Sequence, residues 1–293
     1  MSANPHLLLA LTALFWAAHW IVARALVPHA SPVAMAFWRW AIAIALIAPF
    51  ALPAARVSAG VIRANWRPIL FFGTCGTVGY NAVGYVGIAQ STATNAVLLQ
   101  SVTPGLIPLL AWLLFAERIR ARQAAGLAVS FCGVLAIVSR LDAAVLASLA
   151  VAPGDLWLLG NVLLWSLYTA CLRWRPAQLP PLAFMLALML AGMLSGLPLA
   201  LLDFAAGGGV RLSLGAALGL LYLAAFPSVL CYLMWNRAVA AVGPATAGAY
   251  LHLVPLAGAA MAIVFLGERL EAHHLVGAAL ILAGVALVTR ASR

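Results

Sequence analysis

An apolar stretch carrying Pro104 runs to Glu117-Arg118, and a second apolar stretch with Gly126 and Gly133-Val134 follows it. The same order returns as Pro255, Glu268-Arg269, Gly277 and Gly284-Val285, each 151 positions further on. Ala96, Ala111, Ala121 and Ala128 fall on Ala247, Ala262, Ala272 and Ala279 at that shift. Upstream the shift is 149, which carries Trp16 to Trp165, Arg24 to Arg173, Pro32 to Pro181 and Pro49 to Pro198. Identities at a constant offset are the trace of an internal duplication, and a loop change of two residues separates the two registers. The chain is two similar halves.

Each half is too apolar for water. Hydrophobic residues make up 66% of the chain and charged residues 8%, where a soluble domain carries roughly a quarter charged. Apolar runs bounded by charge, proline or glycine give ten candidate spans, at 6–26, 32–53, 68–89, 92–116, 122–139, 155–173, 181–202, 213–236, 243–266 and 272–289, each near the ~20 residues a helix needs to cross hydrocarbon. The runs are continuously apolar rather than alternating, which favours helices over a barrel. The first half is read as residues 1–140, a linker as 141–154, and the second half as 155–293.

The net charge of +10 does not point to nucleic acid. All sixteen basic residues are Arg, scattered between spans with no Lys-rich arm, and they read as topology signals. A cytoplasmic N-terminus puts eleven of them inside, including Arg118, Arg120, Arg122, Arg173 and Arg175, and four outside, namely Arg24, Arg140, Arg211 and Arg269; Arg39 lies within a span. That is a positive-inside distribution with both termini cytoplasmic. No basic residue precedes Arg24, so the first apolar segment lacks the basic start of a secretory signal and is read as a span. Cys75, Cys132, Cys171 and Cys231 form no C-x-x-C pair and are read as small packing residues.

Five spans per half is an odd number, so the second half enters the membrane from the opposite side. The expected fold is an all-α integral membrane protein, ten transmembrane helices as two inverted five-helix repeats around a central cavity. Such inverted repeats recur in transporters.

The chain resembles the drug/metabolite transporter superfamily, in its ten-helix EamA family. The residues carrying the resemblance are Leu14-Phe15-Trp16-Ala17, the stretch from Pro32 to Arg39, Pro255 with Gly267-Glu268-Arg269-Leu270, and Gly277 to Val285. Length and the Trp-rich first span look like the YddG-type aromatic amino acid exporters. Ala116 stands at the first-half counterpart of Gly267, a departure that bears on packing. The resemblance implies a helical basket in the inner membrane that exports amino acids and related metabolites. No cofactor is expected, and because one chain holds both halves of the pathway a monomer is the expected state. Efflux of drugs or toxic metabolites, or carriage of nucleotide sugars, is the alternative within the superfamily.

In-span polar and aromatic groups are the candidates for substrate binding, because an ionisable group in lipid costs at least about 2.5–3.5 kcal/mol on insertion scales. Arg39 lies seven residues into span two, either as partner for a substrate carboxylate or as a structural tie. Trp16, His19 and Trp20 share a helical face, and their counterparts Trp165, Tyr168 and Thr169 form a second one. Tyr80 and Asn81 lie in a Gly-rich span, Gln100 precedes Pro104, and Tyr250 and His252 precede Pro255. A proline frees a carbonyl one turn earlier, which a substrate ammonium could take or which merely marks a kink. The spans hold no H-E-x-x-H, no G-x-S-x-G and no Asp pair, so intramembrane protease chemistry lacks its residues. A channel would conduct without saturation.

Overall fold

The computed structural model describes residues 4–91, 93–266 and 271–291. Its architecture is helical: α1 (Pro5–Leu26), α2 (Pro32–Val57), α3 (Trp66–Ala89), α4 (Asn95–Phe115), α5 (Ala121–Ser139), α6 (Pro153–Trp174), α7 (Pro181–Ala205) and α8 (Leu214–Val242). Next comes α9, residues 244–266, broken by a 3-10 turn at Tyr250–His252. The last is α10 (Ala272–Arg290). Among the described residues nine of these, all but α9, are long and apolar enough to cross a membrane. At 1.5 Å per residue they cover the ~30 Å of hydrocarbon. The ten expected spans therefore meet nine such helices and the interrupted α9. The motif Gly267-Glu268-Arg269-Leu270 lies outside the described residues.

Local sequence sets the helix ends. Proline occupies the first turn of α1, α2, α6 and α7, where its missing N–H costs nothing. Asn4, Ser31 and Ser213 accept from the backbone N–H of His6, Ala34 and Ala216, capping α1, α2 and α8. Ala116 and Arg140 close α4 and α5 in the left-handed conformation, at φ 55° and 54°.

The packing shows that the repeat is inverted. α5 lies along α10, where Gly126 backs onto the Gly284 backbone and Gly133 onto that of Gly277. Residue numbers rise along one helix as they fall along the other, so the two run antiparallel. Gly277 and Gly284 are the repeat counterparts of Gly126 and Gly133, so equivalent helices of the two halves point in opposite directions. Other contacts come in matched pairs: α2 packs on its counterpart α7, while α1 on α8 and α6 on α3 are the same contact seen twice. Large apolar side chains such as Leu194 and Leu202 cover the outside, the face that meets lipid.

Four helices are broken at equivalent depths. α3 is interrupted at Thr77, and α8 widens into a π-helical turn at Ala224–Leu230 around Pro227; a shift of 151 carries Thr77 to Ser228. α4 breaks between Gln100 and Thr103, and α9 at Tyr250–His252. Irregular backbone at membrane depth survives only where protein groups satisfy it. Here Trp16 Nε1 donates to the Pro227 carbonyl at 3.2 Å, and the Tyr232 hydroxyl donates to the carbonyl of Gly76, the residue equivalent to Pro227. The interruptions ring the centre of the molecule.

Candidate functional site

Arg39 is 1% exposed, and groups from three other helices hold it. Nε donates to Ser228 Oγ at 2.6 Å on the π turn of α8. Nη1 meets Asn81 Oδ1 and the Tyr85 hydroxyl on α3, both at 2.6 Å, and His19 Nε2 on α1 at 2.9 Å. Two hydrogens on Nη1 cannot serve three acceptors independently. Tyr85 lies 2.9 Å from His19 Nε2, so its hydroxyl accepts from Arg39 and donates to the imidazole, which places the His19 proton on Nδ1. The guanidinium also lies 5.4 Å from the centre of the Trp40 ring. Each of these bonds uses Nε or Nη1 and none of them uses Nη2, and Arg39 is one of the residues that line the central cavity.

No carboxylate partners this cation among the described residues. Glu117 pairs with Arg173 at 2.8 Å, Asp155 holds Ser91 and Asn95, Asp203 accepts from Ser31, Asp142 caps a short helix, and Glu271 sits beside His273. A buried guanidinium with only neutral acceptors recovers part of a desolvation cost of several kcal/mol. An incoming anion would recover more.

The cavity measures about 920 Å³. Its inner wall is Trp16, Trp20, Tyr80, Trp165 and Tyr232 around Arg39, and it widens past Arg24 and Ile88 to Arg140, Glu271, His273 and His274. Those last residues stand at helix ends on one face, so the cavity opens there. In the aromatic wall Trp16 and Trp165 pack edge to face at 5.1 Å and 89°, as do Trp165 and Tyr232 at 5.4 Å and 73°, and Tyr80 lies tilted at 44° and 5.2 Å from Trp165. Toward the opposite face the centre is sealed by Phe72, Tyr168 and Phe184, in edge contacts of 5.5 to 5.7 Å. Below them Arg173 bonds Glu117 and lies 4.6 Å from the Phe115 ring, with Trp174 against Phe115 and Phe71.

Of the residues singled out from the sequence, Trp16, His19, Trp20, Arg39, Tyr80, Gln100 and Trp165 line the cavity. The other four do not. Asn81 stands behind the wall as an acceptor for Arg39. Tyr168 stacks on Trp165 at 5.1 Å within the sealed layer and donates to Asn236 Oδ1 at 2.8 Å. Tyr250 bonds His6 Nδ1 at 2.8 Å, and His252 joins Ser130 Oγ to the Ser101 carbonyl, tying α5 to α4 and α9. Gln100 donates to Asn161 Oδ1 at 2.6 Å, and Asn161 donates to the Tyr80 carbonyl at 2.7 Å, linking the α4 break to the wall. Sequence reasoning missed Ser228, whose role depends on a π turn that only Pro227 hints at. It also counted Arg24 and Arg140 only as outside topology charges, whereas the fold brings both to the lining.

An inverted-repeat membrane protein with a central cavity open to one face is what the fold and site define. The chain belongs to the EamA-like transporter family, which it matches over residues 4–139 and 152–290. It is 29% identical over 294 residues to an uncharacterized transporter of Archaeoglobus fulgidus, covering 99% of this chain and 98% of that one. It is 31% identical over 248 residues, 83% and 81% of the two chains, to a probable terminal-alkyne amino-acid exporter of Streptantibioticus cattleyicolor. A solved crystal structure superposes with a TM-score of 0.75 at 20% identity, over 98% of this chain and 96% of that one; that likeness is one of fold.

Proposed function

We propose that this transporter exports amino acids, aromatic and other neutral ones foremost, with related metabolites, by alternating access. The observation that carries the reading is Arg39, a buried cation without a carboxylate partner among the described residues, set in an aromatic cavity wall. A substrate α-carboxylate supplies the missing charge at Nη2, and a side chain lies on Trp16, Trp165 and Tyr80. The relative described as an amino-acid exporter supports this. The distribution of arginines supports a plasma-membrane protein, the inner membrane of a bacterium, with both termini cytoplasmic. The cavity then opens outside. Residues 1–140 and 155–293 act as the two halves joined by 141–154, and one chain holding both forms the pathway as a monomer.

Arg24 and Arg140 in the lining favour a second reading, a metabolite with an additional anionic group such as a nucleotide sugar. The same arginines disfavour a cationic drug. Efflux from proteoliposomes loaded with labelled amino acids, a nucleotide sugar or a cationic drug separates these. Saturable amino acid release, competed by aromatic ones, is expected; release confined to the nucleotide sugar or the drug would overturn the amino acid assignment.

A further inference from the structure

A carboxylate on Arg39 accounts for one end of an amino acid and leaves the ammonium without a partner. The described residues of the cavity lining carry three arginines, Arg24, Arg39 and Arg140, against one carboxylate, Glu271. That carboxylate is remote from the anchor. Arg39 lies seven residues into α2, about 10 Å below the face where that helix begins, at 1.5 Å per residue. Glu271 immediately precedes α10 and sits beside His273, at the face where α1 ends after Arg24 and α5 ends at Arg140. In an amino acid the ammonium nitrogen and the carboxylate carbon are two bonds apart, about 2.5 Å. A substrate seated on Arg39 therefore holds its ammonium well short of Glu271. Around it the described lining is aromatic, with His19, Tyr80 and Gln100 as its neutral hydrogen-bonding groups.

We propose that this site reads a carboxylate and an aromatic body but not an amine. Its best ligands are then aromatic carboxylates that carry no ammonium, namely arylalkanoic acids and N-acylated aromatic amino acids. An ammonium weakens binding in two ways. It leaves water with no anion to replace its hydration, and it lies near the guanidinium. At a separation of ~6 Å and an effective protein dielectric of ~20, that repulsion amounts to roughly 100-fold in affinity. The faces of Trp16 and Trp165 attract a cation and recover a part of this, but the substrate's own ring competes for the same faces. Removing or acylating the amine keeps both favourable contacts, and a cavity of about 920 Å³ has room for the acyl group. The inference rests on Arg39 as the carboxylate anchor of the amino acid reading and narrows the substrate class of that same site.

Calorimetry on the purified, unaltered chain with four ligands that share a phenyl ring tests it: phenylalanine, 3-phenylpropanoate, N-acetylphenylalanine and N-acetylphenylalaninamide. The two carboxylates without an ammonium should bind about 10–100-fold tighter than phenylalanine. The amide, which carries neither charge, should bind about 10-fold or more weaker than N-acetylphenylalanine, and Arg39→Leu should abolish that last difference. The panel on unaltered protein decides the matter whether or not the variant folds. Labelled N-acetylphenylalanine should also leave proteoliposomes saturably and faster than it leaves protein-free vesicles. Phenylalanine binding as tightly as the two amine-free carboxylates, or tighter, would overturn the proposal and leave the amino acid reading standing. Equal binding of N-acetylphenylalanine and its amide would remove Arg39 as the anchor, and both readings would fall together.

Discussion

Arg39 is buried among neutral acceptors, a costly position for a cation that no carboxylate among the described residues partners. Hydrogen bonds to a charged group are worth about 1.5–3 kcal/mol, so Arg39→Leu, which copies the equivalent Leu188, should weaken amino acid binding by roughly 10–100-fold by calorimetry on purified protein. Arg39→Lys keeps the charge and loses the fork that reaches Ser228 and Tyr85 together, so it should fall between the two. Unchanged affinity in Arg39→Leu would remove the carboxylate role. Trp165 contacts Trp16, Tyr80 and Tyr232. Trp165→Ala should raise the apparent KM for aromatic amino acids several-fold more than for alanine, because the side-chain surface is lost while the carboxylate anchor stays. An equal effect on both in transport assays would show that Trp165 serves the fold and not the side-chain site.

At the scale of elements, two kinds of contact have unequal weight. Glu117 and Arg173 form an ion pair at 2.8 Å with both side chains about half exposed, and such pairs contribute at most about 1 kcal/mol. The seal is therefore mostly the aromatic layer of Phe72, Tyr168 and Phe184, and the ion pair biases it lightly. By contrast α5 and α10 touch backbone to backbone at Gly126 and Gly284, with no space for a side chain, the arrangement that small residues permit in membranes. Gly126→Leu should lower the thermal unfolding temperature in detergent by the equivalent of about 1–3 kcal/mol or prevent assembly, whereas Gly60→Ala, with open space around its Cβ position, should do neither. The first result would fail if the two helices could part without loss.

Over the whole molecule the inversion makes a prediction of sidedness. Arg120 and Glu271 are equivalent positions at the starts of α5 and α10, and antiparallel packing of those helices puts them on opposite faces. Single cysteines there should be modified by an impermeant reagent from opposite sides of a sealed membrane, and labelling from the same side would contradict the inverted arrangement. The interrupted helices α3, α4, α8 and α9 surround the cavity in equivalent pairs. One fold thus supplies two similar walls, and the single charge at Arg39 makes them unequal.

Much of this architecture could be read from the chain itself. Helix existence followed from apolar run length, because lipid demands about 20 apolar residues whatever the packing. The duplication followed from constant offsets, and the odd number of spans then required inversion. That Trp16, Trp165 and Arg39 face the interior, where they line the cavity, followed from in-span position, since burying such groups is costly enough to be noticed in one dimension. What the chain could not settle was which way neighbouring side chains face. Tyr168 shares a helical face with Trp165 as His19 does with Trp16, yet His19 borders the cavity and Tyr168 lies in the seal. That difference lies in the tertiary packing, which the equivalence of the two halves along the chain does not fix. His252 looked like a site residue and is a tie to Ser130 and Ser101, because its partners lie over a hundred residues away. Ser228 meets Arg39 only through a π turn. Periodicity records how much each segment must bury; which partner it is buried against is decided by long-range packing.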